Sequence, residues 1–249
     1  MIALRSTIFA LALLLVTPPF ALIAMLTYPF APVTRYRVIT QWTNIMLWVL
    51  RTFVGISYRV EGLENMPRIP SVVLCKHQSA WETLALQQIF PPQAYVLKKE
   101  LLWVPFFGWG LAQFPIISID RNAGKNALAQ VIEQGRRLLA MGIWVVVFPE
   151  GTRTAPGTRR RYKMGGACLA AESGVPVVPV AHNAGEFWRR NAFLKYPGVI
   201  TVVIGPAFDP KGMSPDAINA QAEAWIESTM HRISPQRYSP QVLGADAAA

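Results

Sequence analysis

Cysteine and histidine are scarce in this chain, and their scarcity closes several routes to function. Cys75 and Cys168 stand far apart in apolar surroundings, and only three histidines occur in 249 residues. So few thiols and imidazoles give neither a disulfide framework nor a zinc-ligand spacing, so no metal is expected. No Gly-x-Ser-x-Gly elbow is present, which removes the nucleophile of a serine hydrolase. Gly108-Trp109-Gly110 lacks the third glycine of a nucleotide loop, comes after Pro105 and is not succeeded by a basic residue. No cofactor is expected.

Charge is missing from a second place. Between Arg5 and Arg35 there is no charged residue, and Thr7 to Leu26 alone can cross a hydrocarbon core, which needs about 20 helical residues. A cleaved signal peptide is disfavoured, because no small-x-small site succeeds the apolar stretch and the chain stays apolar past Pro29. Pro18-Pro19 is expected to kink or break this segment. A second apolar helix is expected over Val38, Ile39, Trp42, Ile45, Met46, Val49, Leu50 and Phe53, giving a spanning helix plus an interfacial one, or a hairpin dipping into one leaflet. Arg35, Arg37, Arg51 and Arg59 flank that helix and place the remainder of the chain on the cytoplasmic face.

What the chain does have is an excess of base over acid, 24 against 14, for a net charge of +10. With an apolar N-terminus already supplying a bilayer, that charge fits anionic headgroups. Basic residues interleaved with aromatics in a nucleic-acid-binding fold are absent, so nucleic acid is not expected as a partner. The length accommodates one sizeable domain with an appendage. Residues 1–56 read as membrane-anchoring helices, 57–234 as an α/β domain, and 235–249 as a disordered tail that carries no expectation about activity.

Within 57–234, short β-branched runs alternate with helical stretches. Strands are expected near residues 71–76, 94–98, 116–119, 143–148, 177–180 and 199–204, and helices over 78–89, 126–141, 165–173 and 215–233. The pattern is that of an α/β fold with a largely parallel central sheet flanked by helices, whose ligands sit at strand ends.

One strand end carries a titratable pair, in Lys76-His77-Gln78-Ser79-Ala80-Trp81-Glu82. An imidazole exchanges protons near neutrality, and a carboxylate on its far nitrogen fixes the tautomer and stabilises the imidazolium. At about 100° per residue, positions five apart on one helix diverge by about 140° and cannot meet. The pair therefore requires His77 in the turn before a helix that starts near Ser79. The same residues also spell a capping box, in which Glu82 bonds the Ser79 N–H and never touches His77.

Three further strand ends are polar where a plain core strand would not be. Ile119-Asp120-Arg121 closes one run, Phe148-Pro149-Glu150-Gly151-Thr152-Arg153 closes another, and Val175-Pro176-Val177-Val178-Pro179-Val180 brackets a third with prolines. Each alone is compatible with a surface pair, a loop ion pair or an edge strand. Together with His77 they imply a shared cleft.

In this order and at these intervals, the four blocks resemble the four motifs of the glycerolipid acyltransferases, most closely the 1-acylglycerol-3-phosphate acyltransferases. Val96-Leu97-Lys98-Lys99-Glu100-Leu101 with Pro105-Phe106-Phe107-Gly108-Trp109 after it resembles the stretch those enzymes carry between the first two motifs. The likeness covers roughly Tyr58 to Gly205, and Phe-Pro-Glu-Gly-Thr-Arg is its most specific element. One departure is Glu82, where the family usually has Asp.

The resemblance implies transfer of a fatty acyl group from acyl-CoA or acyl-carrier protein to the sn-2 hydroxyl of lysophosphatidic acid, giving phosphatidic acid in phospholipid biosynthesis, with no acyl-enzyme. His77 becomes the base and Glu82 its orienting partner. Arg121 and Arg153 suit the acceptor phosphate, since guanidinium forks match it. Gly151 and Thr152 can add backbone donors, and Lys98 or Lys99 can add charge near phosphate or donor. Glu150 is left with two jobs, holding an arginine or bonding the glycerol hydroxyl. Pro179 is expected to shape the cleft floor, His182 to be a satisfied structural histidine, and Arg159-Arg160-Arg161 with Lys163 to be a solvated, membrane-facing surface. Membrane lipids are the expected surroundings, in a bacterial inner membrane. The competing readings are an acyltransferase for another lysolipid, a non-catalytic lipid-binding protein, and a lipid hydrolase.

Overall fold

The structure, a computed structural model, describes residues 1–120 and 125–238. Three helices lead the chain: α1 (Ile2–Leu26), α2 (Pro32–Ile39) and α3 (Gln41–Val49), the last running into a π-helical turn at Leu50–Val54. The α/β part begins as β1 (Ile56–Glu61), β2 (Val72–Cys75), α4 (Trp81–Ile89), β3 (Gln93–Lys98), α5 (Phe107–Leu111) and β4 (Ile116–Ile119). It continues as α6 (Lys125–Ala140), β5 (Trp144–Val147), α7 (Gly165–Ser173), β6 (Val177–His182), β7 (Gly198–Ile204) and α8 (Pro215–Ile233).

Among the described residues, seven strands form one sheet in the order β1-β7-β6-β2-β5-β3-β4. Every neighbouring pair is parallel except β6 with β7. β2, β5 and β6 are entirely buried and read as continuous Val-rich runs, as strands covered on both faces must. β1 lies outside the expected strands; it is an edge strand whose residues are mostly half-exposed, so it lacks the apolar run that marks the central ones.

The two faces carry separate cores. Val73, Cys75, Val146 and Val178 point to the side of α1, α3 and α4, while Val72, Leu74, Val145 and Val177 point to α6, α7 and α8. The chain leaves β2 through α4 on one face, and leaves β5 through α7 on the other. A crevice therefore opens at the carboxyl ends of β2 and β5, the place in an open α/β sheet where ligands bind.

The N-terminal part differs from expectation in two ways. Of the kink or break expected at Pro18 and Pro19, the break does not occur: α1 is continuous through both. Proline dihedrals suit a helix, and packing on neighbouring helices supports the bonds that the prolines remove. Here Trp42 Nε1–H donates to Thr17 Oγ1 at 3.2 Å just before the pair, and α5 lies against α1 at Gly110, where an added Cβ would stand 3.6 Å from Ala21 Cα. The second apolar segment is two short helices divided at Thr40, and its Met46, Val49, Leu50 and Val54 are buried in the core above the sheet. α1 alone is long and apolar enough to cross a bilayer among the described residues, and its Leu14 and Leu15 are 68% and 70% exposed.

At the other end, residues 239–249 of the expected tail lie outside the described residues, while its first residues reach back to the domain. Tyr238 is buried, and its hydroxyl accepts from Gln78 Nε2 at 3.0 Å.

Candidate active site

The site begins with a turn. β2 ends at Cys75 and α4 begins at Trp81, so residues 76–80 are free to curl the chain back over the first turn of the helix. His77 Nδ1 thereby meets Glu82 Oε1 at 2.7 Å. The same carboxylate accepts from Gln78 N–H at 3.1 Å and from Ser79 N–H at 2.9 Å. The capping bond and the imidazole contact coexist, because a carboxylate has lone pairs enough for both. These bonds also explain why the helix starts at Trp81 instead of Gln78.

Nδ1 is taken, so Nε2 is the nitrogen left to meet a substrate. The imidazole stacks on Phe148 at 4.1 Å between centroids, and Phe148 stacks on Tyr95 at 5.9 Å. This ring column forms one wall of a cavity of about 640 Å³ that also takes in Thr83 and Gln87 of α4, Lys98, Gly151, Thr152, Arg153 and Arg190. The rest of its lining is largely apolar: Leu13, Phe20 and Ala21 of α1, Trp42, Leu84, Leu97, Leu101, Phe107 and Phe114.

Electrostatics around the pair have named causes. Burial pushes the Glu82 carboxyl up, but His182 and His77 outweigh it and, with the Ser79 N–H, hold the group below the ordinary glutamate value. His182 lies 3.9 Å from Glu82 Oε2. Its own value is pushed down by burial against the pull of Glu82, so a neutral ring is favoured, with Nε2–H donating to the Lys76 carbonyl at 2.8 Å and Nδ1 accepting from Ala184 N–H at 3.3 Å. Expected as a structural histidine, it is satisfied as one, yet it touches the carboxylate on which His77 depends.

The remaining expected residues divide. Arg153, Gly151, Thr152 and Lys98 share the cavity with His77, while Lys99 begins a short 3₁₀ turn outside it. Arg153 Nε is buried and has no hydrogen-bond partner among the described residues. The Arg153 carbonyl accepts from Arg190 Nη1 at 3.2 Å, which brings a second guanidinium to the same rim. Gly151 has φ of +68°, so the backbone calls for glycine; a Cβ there would meet only the movable end of the Lys163 side chain, 2.7 Å away at Cε. The Gly151 N–H donates to the Phe148 carbonyl at 2.9 Å and is committed to shaping the loop. Arg121 lies outside the described residues.

Glu150 is placed differently from either expected job. It is fully buried, does not line the cavity, holds no arginine among the described residues, and pairs with the Lys76 ammonium at 3.2 Å and accepts from the His77 N–H at 3.4 Å. Burial raises its carboxyl above the ordinary value, and Lys76, which also serves Glu227 at 2.7 Å, offsets that only in part. Lys76, Thr154, Glu227, Trp188 and Arg190 are functional-site neighbours that sequence reasoning did not single out. A signal existed for Lys76, a lysine continuing a wholly apolar strand run.

Residues 57–183 match the acyltransferase family. A 1-acyl-sn-glycerol-3-phosphate acyltransferase of Pseudomonas aeruginosa is 46% identical over 238 residues, covering 94% of this chain and 93% of that protein. The human 1-acyl-sn-glycerol-3-phosphate acyltransferase alpha is 30% identical over 183 residues, 72% of this chain and 65% of that one. The crystal structure of the 1-acyl-sn-glycerophosphate acyltransferase of Thermotoga maritima shares the fold, with a TM-score of 0.78 at 21% identity over 92% of this chain and 95% of that one.

The chain belongs to the acyltransferase family. Within it, its kinship is with the 1-acyl-sn-glycerol-3-phosphate acyltransferases.

Proposed function

We propose that the protein moves a fatty acyl group from a thioester donor, acyl-CoA or acyl-carrier protein, to the sn-2 hydroxyl of 1-acyl-glycerol-3-phosphate, giving phosphatidic acid. The observation that carries this reading is the cavity itself, which joins an imidazole backed by a buried carboxylate, a guanidinium rim and a largely apolar lining.

His77 Nε2 takes the proton of the attacking hydroxyl as its oxygen bonds to the thioester carbonyl carbon. Glu82 holds the ring through Nδ1 and stabilises the imidazolium that forms. When the tetrahedral intermediate collapses, the C–S bond breaks and the imidazolium returns the proton to the departing thiolate. Arg153, with Lys98 and Arg190 beside it, holds the acceptor phosphate by charge-assisted hydrogen bonds. Thr152 and Gly151 shape the loop that presents Arg153, and the resemblance adds Arg121 to the phosphate set. The apolar lining takes the acyl chain, where each methylene withdrawn from water gains about 0.8 kcal/mol.

Direct transfer is supported by what surrounds the thiols. Cys75 is fully buried, and burial with the nearby Glu82 and Glu150 raises its thiol well above the ordinary value, which opposes a nucleophilic thiolate.

An acceptor screen tests the proposal. Membranes from cells expressing the chain are given one labelled acyl thioester and a series of lysolipids, with His77→Ala membranes as control. Acylation of lysophosphatidic acid in preference to lysolipids whose phosphate is diesterified is the expected result. Equal acylation of both kinds would remove the phosphate-selective acceptor, and no acylation of any would sink the enzyme reading.

A further inference from the structure

Behind His77 lies a charged cluster that acyl transfer does not call on. Lys76 immediately precedes His77, and its ammonium, fully buried, sits 2.7 Å from Glu227 of α8 and 3.2 Å from Glu150. Tyr162 hydroxyl donates to the same Glu227 oxygen at 3.4 Å. Burial opposes the lysine charge, but Glu150 and Glu227 overcome it and keep the ammonium protonated. Buried ion groups of this kind rarely add stability over apolar side chains of the same shape, although removing one member strands a charge. Stability alone therefore does not account for the cluster.

The backbone of residues 76–79 supplies an account. Lys76 N–H donates to the Val180 carbonyl at 2.9 Å, and the Lys76 carbonyl accepts from His182 at 2.8 Å. His77 N–H donates to Glu150 Oε1 at 3.4 Å, and the His77 carbonyl accepts from Thr154 N–H at 2.7 Å and Thr154 Oγ1 at 3.1 Å. Gln78 and Ser79 N–H go to Glu82. The peptide groups on both sides of the His77 Cα are thus fixed, and one of these ties depends on a carboxylate that is itself held by the ammonium of Lys76. Glu150 Oε2 has no hydrogen-bond partner among the described residues, and beside the residue's own backbone N–H it is Lys76 and the His77 N–H that hold this side chain.

We propose that Lys76 and Glu227 are positioning residues for His77: the ammonium, anchored on α8 by Glu227, aims the Glu150 carboxylate at the His77 N–H and so sets the line along which the imidazole meets the acceptor hydroxyl. The inference rests on the reading of His77 as the base. It assigns Glu150 to the support of the base and takes it away from the acceptor.

The test uses the full-length protein reconstituted in lipid, comparing wild type with Lys76→Met, Glu150→Gln, Glu227→Gln and the double variant Lys76→Met/Glu150→Gln. Lys76→Met is expected to lower kcat on the order of tenfold or more, since small misplacements of a catalytic group are costly, with KM for both substrates unchanged. Glu227→Gln, which keeps the volume and an acceptor oxygen, lowers the same parameter by less, and keeps the question open to measurement should Lys76→Met fail to fold. The double variant recovers part of the loss, because no carboxylate is then left unpaired beside the His77 N–H and the glutamine oxygen still accepts from it. A rise in KM for the lysolipid with kcat unmoved would return Glu150 to the acceptor and overturn the proposal, as would strict additivity in the double variant. Amide hydrogen exchange gives a second readout that needs no substrate: the peptide carrying residues 76–80 is expected to exchange faster in Lys76→Met and Glu227→Gln, and unchanged exchange there overturns the positioning role. If wild type acylates no lysolipid, the functional reading falls, while the exchange comparison still judges the support of His77.

Discussion

Two loops at the carboxyl ends of neighbouring strands meet in the cavity, and they are built to opposite rules. In the turn after β2, each peptide group from Lys76 N–H to the Ser79 N–H that bears on His77 has a partner, and the imidazole is clamped between Glu82 and Phe148. In the loop after β5, Gly151 takes a left-handed conformation, and the Arg153 guanidinium keeps a buried Nε without a partner among the described residues. The difference is what the roles proposed for His77 and Arg153 call for. A base loses rate when its direction wavers, so its bonds are completed within the protein. A residue that holds a charged ligand must leave donors open until the ligand arrives.

That contrast makes the two loops separable by kinetics. The largest effect is expected from His77→Ala, with kcat reduced roughly a thousandfold and acceptor affinity intact, read as turnover at saturating lysolipid beside a direct binding measurement. If binding fell with turnover, the rigid turn would be serving the substrate as well as the reaction. Glu82→Gln comes next, at roughly a hundredfold in kcat. It also leaves the Gln78 and Ser79 N–H groups with a poorer acceptor, at a cost of about 1–3 kcal/mol visible in chemical denaturation. Loss of rate with no loss of stability would separate the capping role from the orienting one.

Arg153→Ala is expected to raise KM for the phosphorylated acceptor about tenfold to a hundredfold, the worth of a hydrogen bond to a charged group, with kcat near wild type. A fall in kcat alone would erase the distinction between the loops.

The smallest effect concerns Glu150 and pH. Its carboxyl is raised by burial, so between the unfolded value near 4.5 and the higher folded value the native chain holds a proton that the unfolded chain has released. That contribution is complete below the unfolded value and is lost as pH rises through the folded one. Melting curves stepped upward from about pH 4.5 should therefore show wild type losing ground to Glu150→Gln, and a pH-independent gap would mean that Glu150 stays ionised throughout.

Much of this frame was legible in the sequence because it is local. Alternation of β-branched runs with helical stretches marks six of the strands, and Gly165–Ser173 and Pro215–Ile233 appear where expected. His77 and Glu82 lie close in the chain, so helix geometry alone states the condition under which they meet. Edge strand β1 escaped, its residues being neither uniformly apolar nor cleanly alternating. The support behind His77 escaped for a different reason. Lys76 finds Glu227 across 151 positions, Thr154 finds the His77 carbonyl across 77, and His182 reaches the Lys76 carbonyl across 106. No spacing rule connects residues that only the sheet order brings together. The second apolar segment misled because burial under α4 and burial in lipid require the same side chains.

α1 presents one side to the cavity through Leu13, Thr17, Phe20 and Ala21, while Leu14 and Leu15 face outward. The helix long and apolar enough to cross a bilayer and the pocket wall are the same piece of chain. Trimming the first 26 residues would therefore tear away the flank of the cavity along with the apolar helix. With α1 in a bilayer, as its length and apolarity allow, and an acyl chain in the cavity, as proposed, a fatty chain would pass from between lipid tails directly alongside α1 without being carried bare through water.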